Sequence, residues 1–188
     1  MSAPTVGTPV VAEVPVALPE LATYTARNGD TVRPGCFGVS HGSGLLGALI
    51  RHATESWAGH AFIYIGNGQI VEGVPPVAQI AAASSHPDAV WNAREPLTDD
   101  QRLKIVARAQ ALVGTHYDWP AYAGFALEVL KIGSGEQLDG AFAQDPWRVC
   151  SALVADCYDY AGIHIDASLK DPNLVSPADL YDLIAQQA

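Results

Sequence analysis

The alternation of apolar and polar positions divides the chain into a few clear elements. From Trp57 to Gly73 the sequence reads WAGHAFIYIGNGQIVEG. Two short apolar runs on either side of Gly66-Asn67-Gly68 predict a β-hairpin. With a three-residue loop, Tyr64 pairs with Ile70 and Phe62 with Glu72. His60 and Glu72 then share one face, a diagonal step apart. A two-residue loop would send them to opposite faces. Upstream, a turn at Asn28-Gly29-Asp30 and a Pro34-Gly35 pair precede a short strand from Cys36 to Ser40. LLGALIRHATES has helical spacing at Leu45, Leu46, Leu49 and Ile50. After the hairpin, an irregular stretch is expected through Trp91 and Arg94. LTDDQRLKIVARAQALVG predicts a helix capped by Thr98, with Asp99 and Asp100 at its positive end and Gly114 closing it. WPAYAGFALEVLKIG predicts a shorter apolar helix, and GSGEQLDGAFAQDPW a loop. VCSALVADCYDYAG predicts a helix ending at Gly162. SPADLYDLIAQ predicts a last helix capped by Ser176, with Pro177 in its first turn. No internal repeat is visible, and the class is α+β.

Residues 1–28 have a different texture, rich in Pro, Val, Ala and Thr, with prolines at 4, 9, 15 and 19. Proline at that frequency blocks helices and inner strands. This segment reads as an extended arm, either a loose terminus or one that docks on a protein partner or on the domain itself. Residues 29–188 then form one domain.

Composition narrows the function classes. Hydrophobic residues make up 49% and charged residues 16% of the 188 positions, which is globular usage. The formal net charge of -10 argues against nucleic acid and anionic membrane as partners. No run approaches the roughly 18 apolar residues of a membrane span. The N-terminus lacks a basic segment before an apolar core, so no signal peptide is expected. Synthesis in the cytoplasm follows, with export or carriage by another agent if the protein acts outside.

The candidate chemistry lies in the cysteines and the hairpin. Cys150 and Cys157 stand two turns apart on one helix, about 10 Å along its axis, too far for a disulfide. No Cys-x-x-Cys pair or close His/Cys cluster suggests zinc. Cys150, Leu153, Val154, Cys157, Tyr158 and Ala161 share a helix face. That places Cys150 in the first turn, where free amides and the helix dipole favour a thiolate. Cys157, deeper in the helix, reads as packing, and a lone Cys150 would carry the same bland reading. A carboxylate beside a histidine fixes its tautomer and stabilises the imidazolium, which is what Glu72 would do for His60.

These segments together resemble the NlpC-type cell-wall peptidases, a papain-like cysteine hydrolase superfamily. The hairpin is similar to that family's histidine motif, H-x-[AG]-I-Y-I-G-x-G, with a polar third residue twelve positions after the histidine; here that residue is Glu72. VCSALVADCYDYAGI resembles the nucleophile helix, commonly D-C-S-G-L-V followed by a tyrosine and A-G-I. ALVGTHYDW resembles the G-T-P-Y-x-W segment and places Tyr117 and Trp119. DTVRPGCFGV resembles the P-G-D strand that ordinarily follows the nucleophile. The histidine half, residues 29–73, precedes the cysteine half, 98–165, as in the circularly permuted branch of the family. That branch also holds bacterial lipoprotein-like hydrolases and the lecithin:retinol acyltransferase relatives. The resemblance spans roughly residues 29–180. Val149, Ala152, His116 and Cys36 depart from the family's aspartate, glycine, proline and aspartate at those places.

The resemblance implies a small antiparallel sheet packed against helices, with Cys150 as nucleophile, His60 as general base and then acid, and Glu72 orienting His60. The backbone N–H of Cys150 would serve an oxyanion hole. Tyr117 would line the cleft as a substrate-binding group or sit half-buried in the core. His41 would line the cleft or stay a solvated loop residue. No metal or organic cofactor is implied. The expected substrate is a peptide or lipid-linked amide, foremost the peptidoglycan stem peptide. Two other readings stay open: a lipid-directed acyl hydrolase or acyltransferase with the same triad, and a structural or binding component retaining the fold. A phage particle or tail is an example of the last, docked through residues 1–28, and a virion would deliver a wall enzyme without secretion.

Overall fold

The computed structural model describes residues 22–74, 76–115, 150–165 and 175–187. Two short strands, β1 (Tyr24–Thr25) and β2 (Thr31–Val32), pair antiparallel around the expected Asn28-Gly29-Asp30 turn. The main sheet holds β3 (Phe37–Ser40), β4 (His60–Gly66), β5 (Gln69–Val74), β6 (Val77–Ala82) and β7 (Val90–Trp91). It is antiparallel throughout, in the order β6-β5-β4-β3-β7. The helices are α1 (Gly44–Thr54), α2 (Asp99–Leu112), α3 (Cys150–Tyr160) and α4 (Pro177–Ala185). An α+β chain with a five-stranded antiparallel sheet packed against helices is the architecture, in the class expected from sequence. Among the described residues no helix is long and apolar enough to cross a membrane.

Strand alternation gives the sheet two apolar faces. Phe37, Val39, Ala61, Ile63, Ile65 and Val71 pack against α2, α3 and α4 through Ile105, Leu153, Val154 and Leu180. Phe62, Tyr64 and Ile70 turn the other way and pack with Trp91, Val32, Ala26 and Cys36. The helix ends follow the sequence signals. Thr98 and Gln101 form a capping box on α2, and Ser176 and Asp179 form one on α4 with Pro177 in the first turn. All six residues assigned to one face of α3 are buried.

The hairpin register is the expected one, with Phe62 opposite Glu72 and Tyr64 opposite Ile70. The loop itself differs. Gly66 pairs with Gln69, so Asn67-Gly68 is a two-residue turn, both residues at positive φ. A pairing shift between Tyr64 and Gly66 leaves Ile65 as an extra residue. This bulge restores the register a three-residue loop would give.

Two further differences have physical reasons. The stretch after the hairpin, expected to be irregular, contains β6 and β7. Within β6 only Ala78 is buried, so the strand lacks the alternation that marks a half-buried strand in sequence. Its order comes from pairing with β5 along its length. The packed region also begins upstream of residue 29. Tyr24 lies against Tyr64 and Trp91, Ala26 is buried, and Tyr64 Oη donates to the Ala22 carbonyl at 2.7 Å.

Candidate active site

The site forms where β3 ends and β4 begins. His60 is the first residue of β4, opposite Ser40 in the β3–β4 ladder. Glu72 lies in β5 on the same side as Phe62 and Tyr64. Side chains at these positions meet across one diagonal step. His60 Nε2 lies 2.9 Å from Glu72 Oε2.

Cys150 reaches His60 from the other layer. It is the first residue of α3, the helix that packs on the opposite face of β4 and β5. At the start of β4 the thiol comes close enough to the His60 ring and to the backbone N–H groups of Ala61 and Ser151 for them to favour its charged form. Glu72 occupies Nε2 of that ring, which leaves Nδ1 for the sulfur. Ser151 Oγ donates to the Val175 carbonyl at 2.6 Å and ties the first turn of α3 to the segment before α4. At its other end α3 is held by Tyr158, whose hydroxyl donates to the Gly35 carbonyl and accepts from Asn92 Nδ2. Tyr158 is fully buried, so these bonds remove what would otherwise be a costly desolvated hydroxyl.

The electrostatics of the group are mutually supporting. Burial opposes a charged His60 ring. Its hydrogen bonds and charge interactions with Cys150 and Glu72 outweigh that, and its pKa is pushed up from 6.5 to about 9. Burial likewise works to raise the Cys150 pKa. The hydrogen bond and charge of His60, with the amides of Ala61 and Ser151, bring it below the ordinary thiol value instead. Glu72, against the cost of burial, is held well below the usual carboxylate range by donors from His60, His86 and Gln79. Cys157 has burial and the nearby Asp156 charge against it, and its pKa is pushed far up. Cys36 is fully buried beside Arg102, whose guanidinium lies 3.4 Å from its sulfur. All three cysteines are free thiols.

The structure therefore brings together Cys150, His60 and Glu72. Tyr117, the expected cleft residue, lies outside the described residues, as do the helix and loop expected over residues 119–147. His41 is exposed in the loop beside the site, its ring 5.9 Å from that of Trp57.

Three residues of the site were not singled out from sequence. His86 Nε2 lies 2.9 Å from the same Glu72 Oε2, and Gln79 Nε2 donates to Oε1 at 2.9 Å. Ser40 Oγ lies 3.3 Å from His86 Nδ1. Gln79 is in β6, and His86 follows a 3-10 turn at Ala83–Ser85, so both depend on the strand that carries no clear sequence pattern. His60, Glu72 and His86 are also the described residues that could together hold a metal ion, with ligand atoms within 4.8 Å of one another. Two Nε2–H donors converging on one carboxylate oxygen account for that spacing, and a cation there would have to displace both protons.

No family model matches the chain, and no curated protein matches it significantly.

Proposed function

We propose that the chain is a cysteine hydrolase of the circularly permuted NlpC type that cleaves an amide bond, with the peptidoglycan stem peptide as its substrate. The observation that carries the reading is the buried group of Cys150, His60 and Glu72, with His60 bonded to Glu72 and beside the thiol. In it the thiol is made more acidic and the imidazole more basic. A thiolate beside an imidazolium at a helix N-terminus is the arrangement a thiol nucleophile needs. The order of the halves, histidine hairpin first and cysteine helix later, supports the permuted assignment.

In this reading the Cys150 thiolate attacks the carbonyl carbon, and the carbonyl electrons pass to its oxygen. Backbone N–H groups at the start of α3 would receive that charge. When the C–N bond breaks, His60 gives its proton to the leaving amine, and a thioester remains on Cys150. Neutral His60 then takes a proton from water, which attacks the thioester, releasing the acid and restoring the Cys150 thiolate beside protonated His60. Glu72 holds the ring in place through both steps.

Incubation of purified peptidoglycan with the protein, followed by mass spectrometry of soluble products, tests the reading. Release of fragments with a new amine terminus, absent with Cys150→Ala, is the expected result. Release of fatty acid from phospholipid vesicles with no action on peptidoglycan would move the substrate to the lipid class. An inert Cys150 thiol would overturn the enzymatic reading altogether.

A further inference from the structure

The contacts of Glu72 fix more than the His60 ring. Its Oε2 lies 2.9 Å from two imidazole nitrogens, His60 Nε2 and His86 Nε2. An ionised carboxylate only accepts, so each ring must present Nε2–H. On a neutral His86 ring this leaves Nδ1 to accept, and the Ser40 hydroxyl stands 3.3 Å from it. Ser40 is completely buried in β3, and its hydroxyl is placed to donate there. With His86 neutral, Ser40 Oγ–H donates to His86 Nδ1 and His86 Nε2–H donates to Glu72 Oε2. Phe62 sets the plane of the His86 ring, stacked at 4.5 Å and 27°. Gln79 fills the other carboxylate oxygen.

We propose that His86, anchored by Ser40, is a positioning residue. With its proton on Nε2 it clamps the Glu72 carboxylate against His60 and so keeps the His60 ring turned toward Cys150. This rests on the cysteine-hydrolase reading and extends it from three residues to five. His86 touches neither the thiol nor any reacting atom, and acts only through Glu72. Without it, a carboxylate only 5% exposed keeps donors from His60 and Gln79 but loses the second donor to Oε2. The titratable groups around His86 are Glu72 on β5, His60 on β4, whose ring lies 5.3 Å away, and Asp88 in its own loop, which accepts from the His41 backbone N–H. Ser40, Gln79 and Phe62 are neutral neighbours on β3, β6 and β4.

The test needs no substrate. The second-order rate of Cys150 alkylation by iodoacetamide is measured against pH, with peptide mass spectrometry reading the site. Wild type is compared with His86→Leu, which removes the donor, and His86→Gln, which keeps an N–H. Both are repeated in a Glu72→Gln background. His86→Leu should slow Cys150 labelling at neutral pH by about 10- to 100-fold, the scale of one hydrogen bond to a charged group. It should also move the acid limb of the profile upward, toward an ordinary thiol. His86→Gln should recover most of the rate. With Glu72→Gln present, His86→Leu should add less than about twofold, because its route is gone. Equal losses in the Leu and Gln variants would make His86 a packing residue and overturn the proposal. So would an undiminished effect in the Glu72→Gln background. If His86→Leu does not fold, Ser40→Ala serves instead: a few-fold slower labelling is expected, and an unchanged rate overturns the anchor. Wild-type protein in which Cys150 has no advantage over Cys36 and Cys157 would overturn the thiolate reading beneath all of this, an outcome visible before any His86 variant is made.

Discussion

His60 Nε2 stands 2.9 Å from Glu72 Oε2 although the two residues are not partners in the β4–β5 ladder. His60 faces Ser40 on β3, and Glu72 faces Phe62 on β4. The contact is diagonal, and it survives because Ile65 is an extra residue near the hairpin end. With Gly66 paired to Gln69 and no bulge, Ile63 would oppose Glu72, and the carboxylate would point into the helical layer. One residue of backbone irregularity thus decides which face carries the carboxylate, and with it whether His60 has an orienting partner.

The first prediction ranks the three residues by what each supplies. Cys150→Ala should abolish turnover, since no other thiol lies at the site. His60→Ala should cost a factor of about 10²–10⁴ in kcat, the worth of a general base. Glu72→Gln should cost less, because an amide still offers an oxygen to His60 Nε2–H. Steady-state kinetics on the three variants checks the order. A Glu72→Gln loss equal to that of Cys150→Ala, or no loss at all, would contradict the orienting role.

The second concerns pH. Turnover in this reading needs Cys150 as thiolate and His60 protonated at once. The Cys150 pKa lies below its ordinary value, so the acid limb of kcat/KM should fall below the usual thiol range. The His60 pKa is raised to about 9. As pH climbs through that value the ring loses its proton, the leaving amine loses its acid, and activity declines. Glu72→Gln removes a charge that favours the imidazolium. It should therefore move the alkaline limb down toward the ordinary histidine value of about 6.5. A limb that stays near 9 in that variant would assign the raised value to Cys150 alone.

The third locates the start of the domain. Deletion of residues 1–28 removes Tyr24, whose ring centroid lies 6.0 Å from both Tyr64 and Trp91, together with buried Ala26 and the carbonyl that accepts from Tyr64 Oη. Loss of that packing should cost roughly 1–3 kcal/mol, read as a fall of several degrees in Tm. Deletion of residues 1–21 leaves these contacts in place and should cost less. Equal midpoints for the two truncations would return the boundary to residue 29.

Legibility followed the strength of the local signal. Cap residues such as Thr98 and Ser176 act on amides two or three positions away, so the ends of α2 and α4 could be read directly from the chain. The pairing of Phe62 with Glu72 was legible because alternation and the turn constrain each other. The actual turn was not: Asn67-Gly68 plus a bulge and a three-residue loop yield the same pattern of apolar positions. His86 was hidden for a different reason. Its approach to Glu72 depends on β6, a strand of small and exposed residues held by its neighbour rather than by its own pattern. The thiol and its histidine were legible as candidates. That they meet depends on α3 crossing the sheet face, which lies beyond any local signal.

The last prediction tests how tightly the start of β4 is held. Gly59 precedes His60, and its N–H donates to the Ser40 carbonyl at 2.9 Å. A Cβ built there would overlap the carbonyl oxygen of His41 and come within 2.9 Å of the Gly47 carbonyl oxygen. Both obstacles are backbone, and the His41 carbonyl is itself tied to Arg51. Neither can swing aside as a side chain would, so Gly59→Ala must push the strand start away from β3 and α1. Overpacking of this kind costs about 1–3 kcal/mol. More tellingly, it displaces His60 relative to Cys150, so alkylation of Cys150 at neutral pH should slow by about tenfold or more. Gly114→Ala is the contrast. Gly114 sits at positive φ, +83°, which Gly59 does not, and a Cβ there meets nothing within 4 Å. It should cost about 1 kcal/mol of backbone strain and leave Cys150 labelling unchanged. If both substitutions lower Tm alike and neither touches the labelling rate, the reactivity of Cys150 does not depend on the placement of His60, and the geometry of the site would need another account.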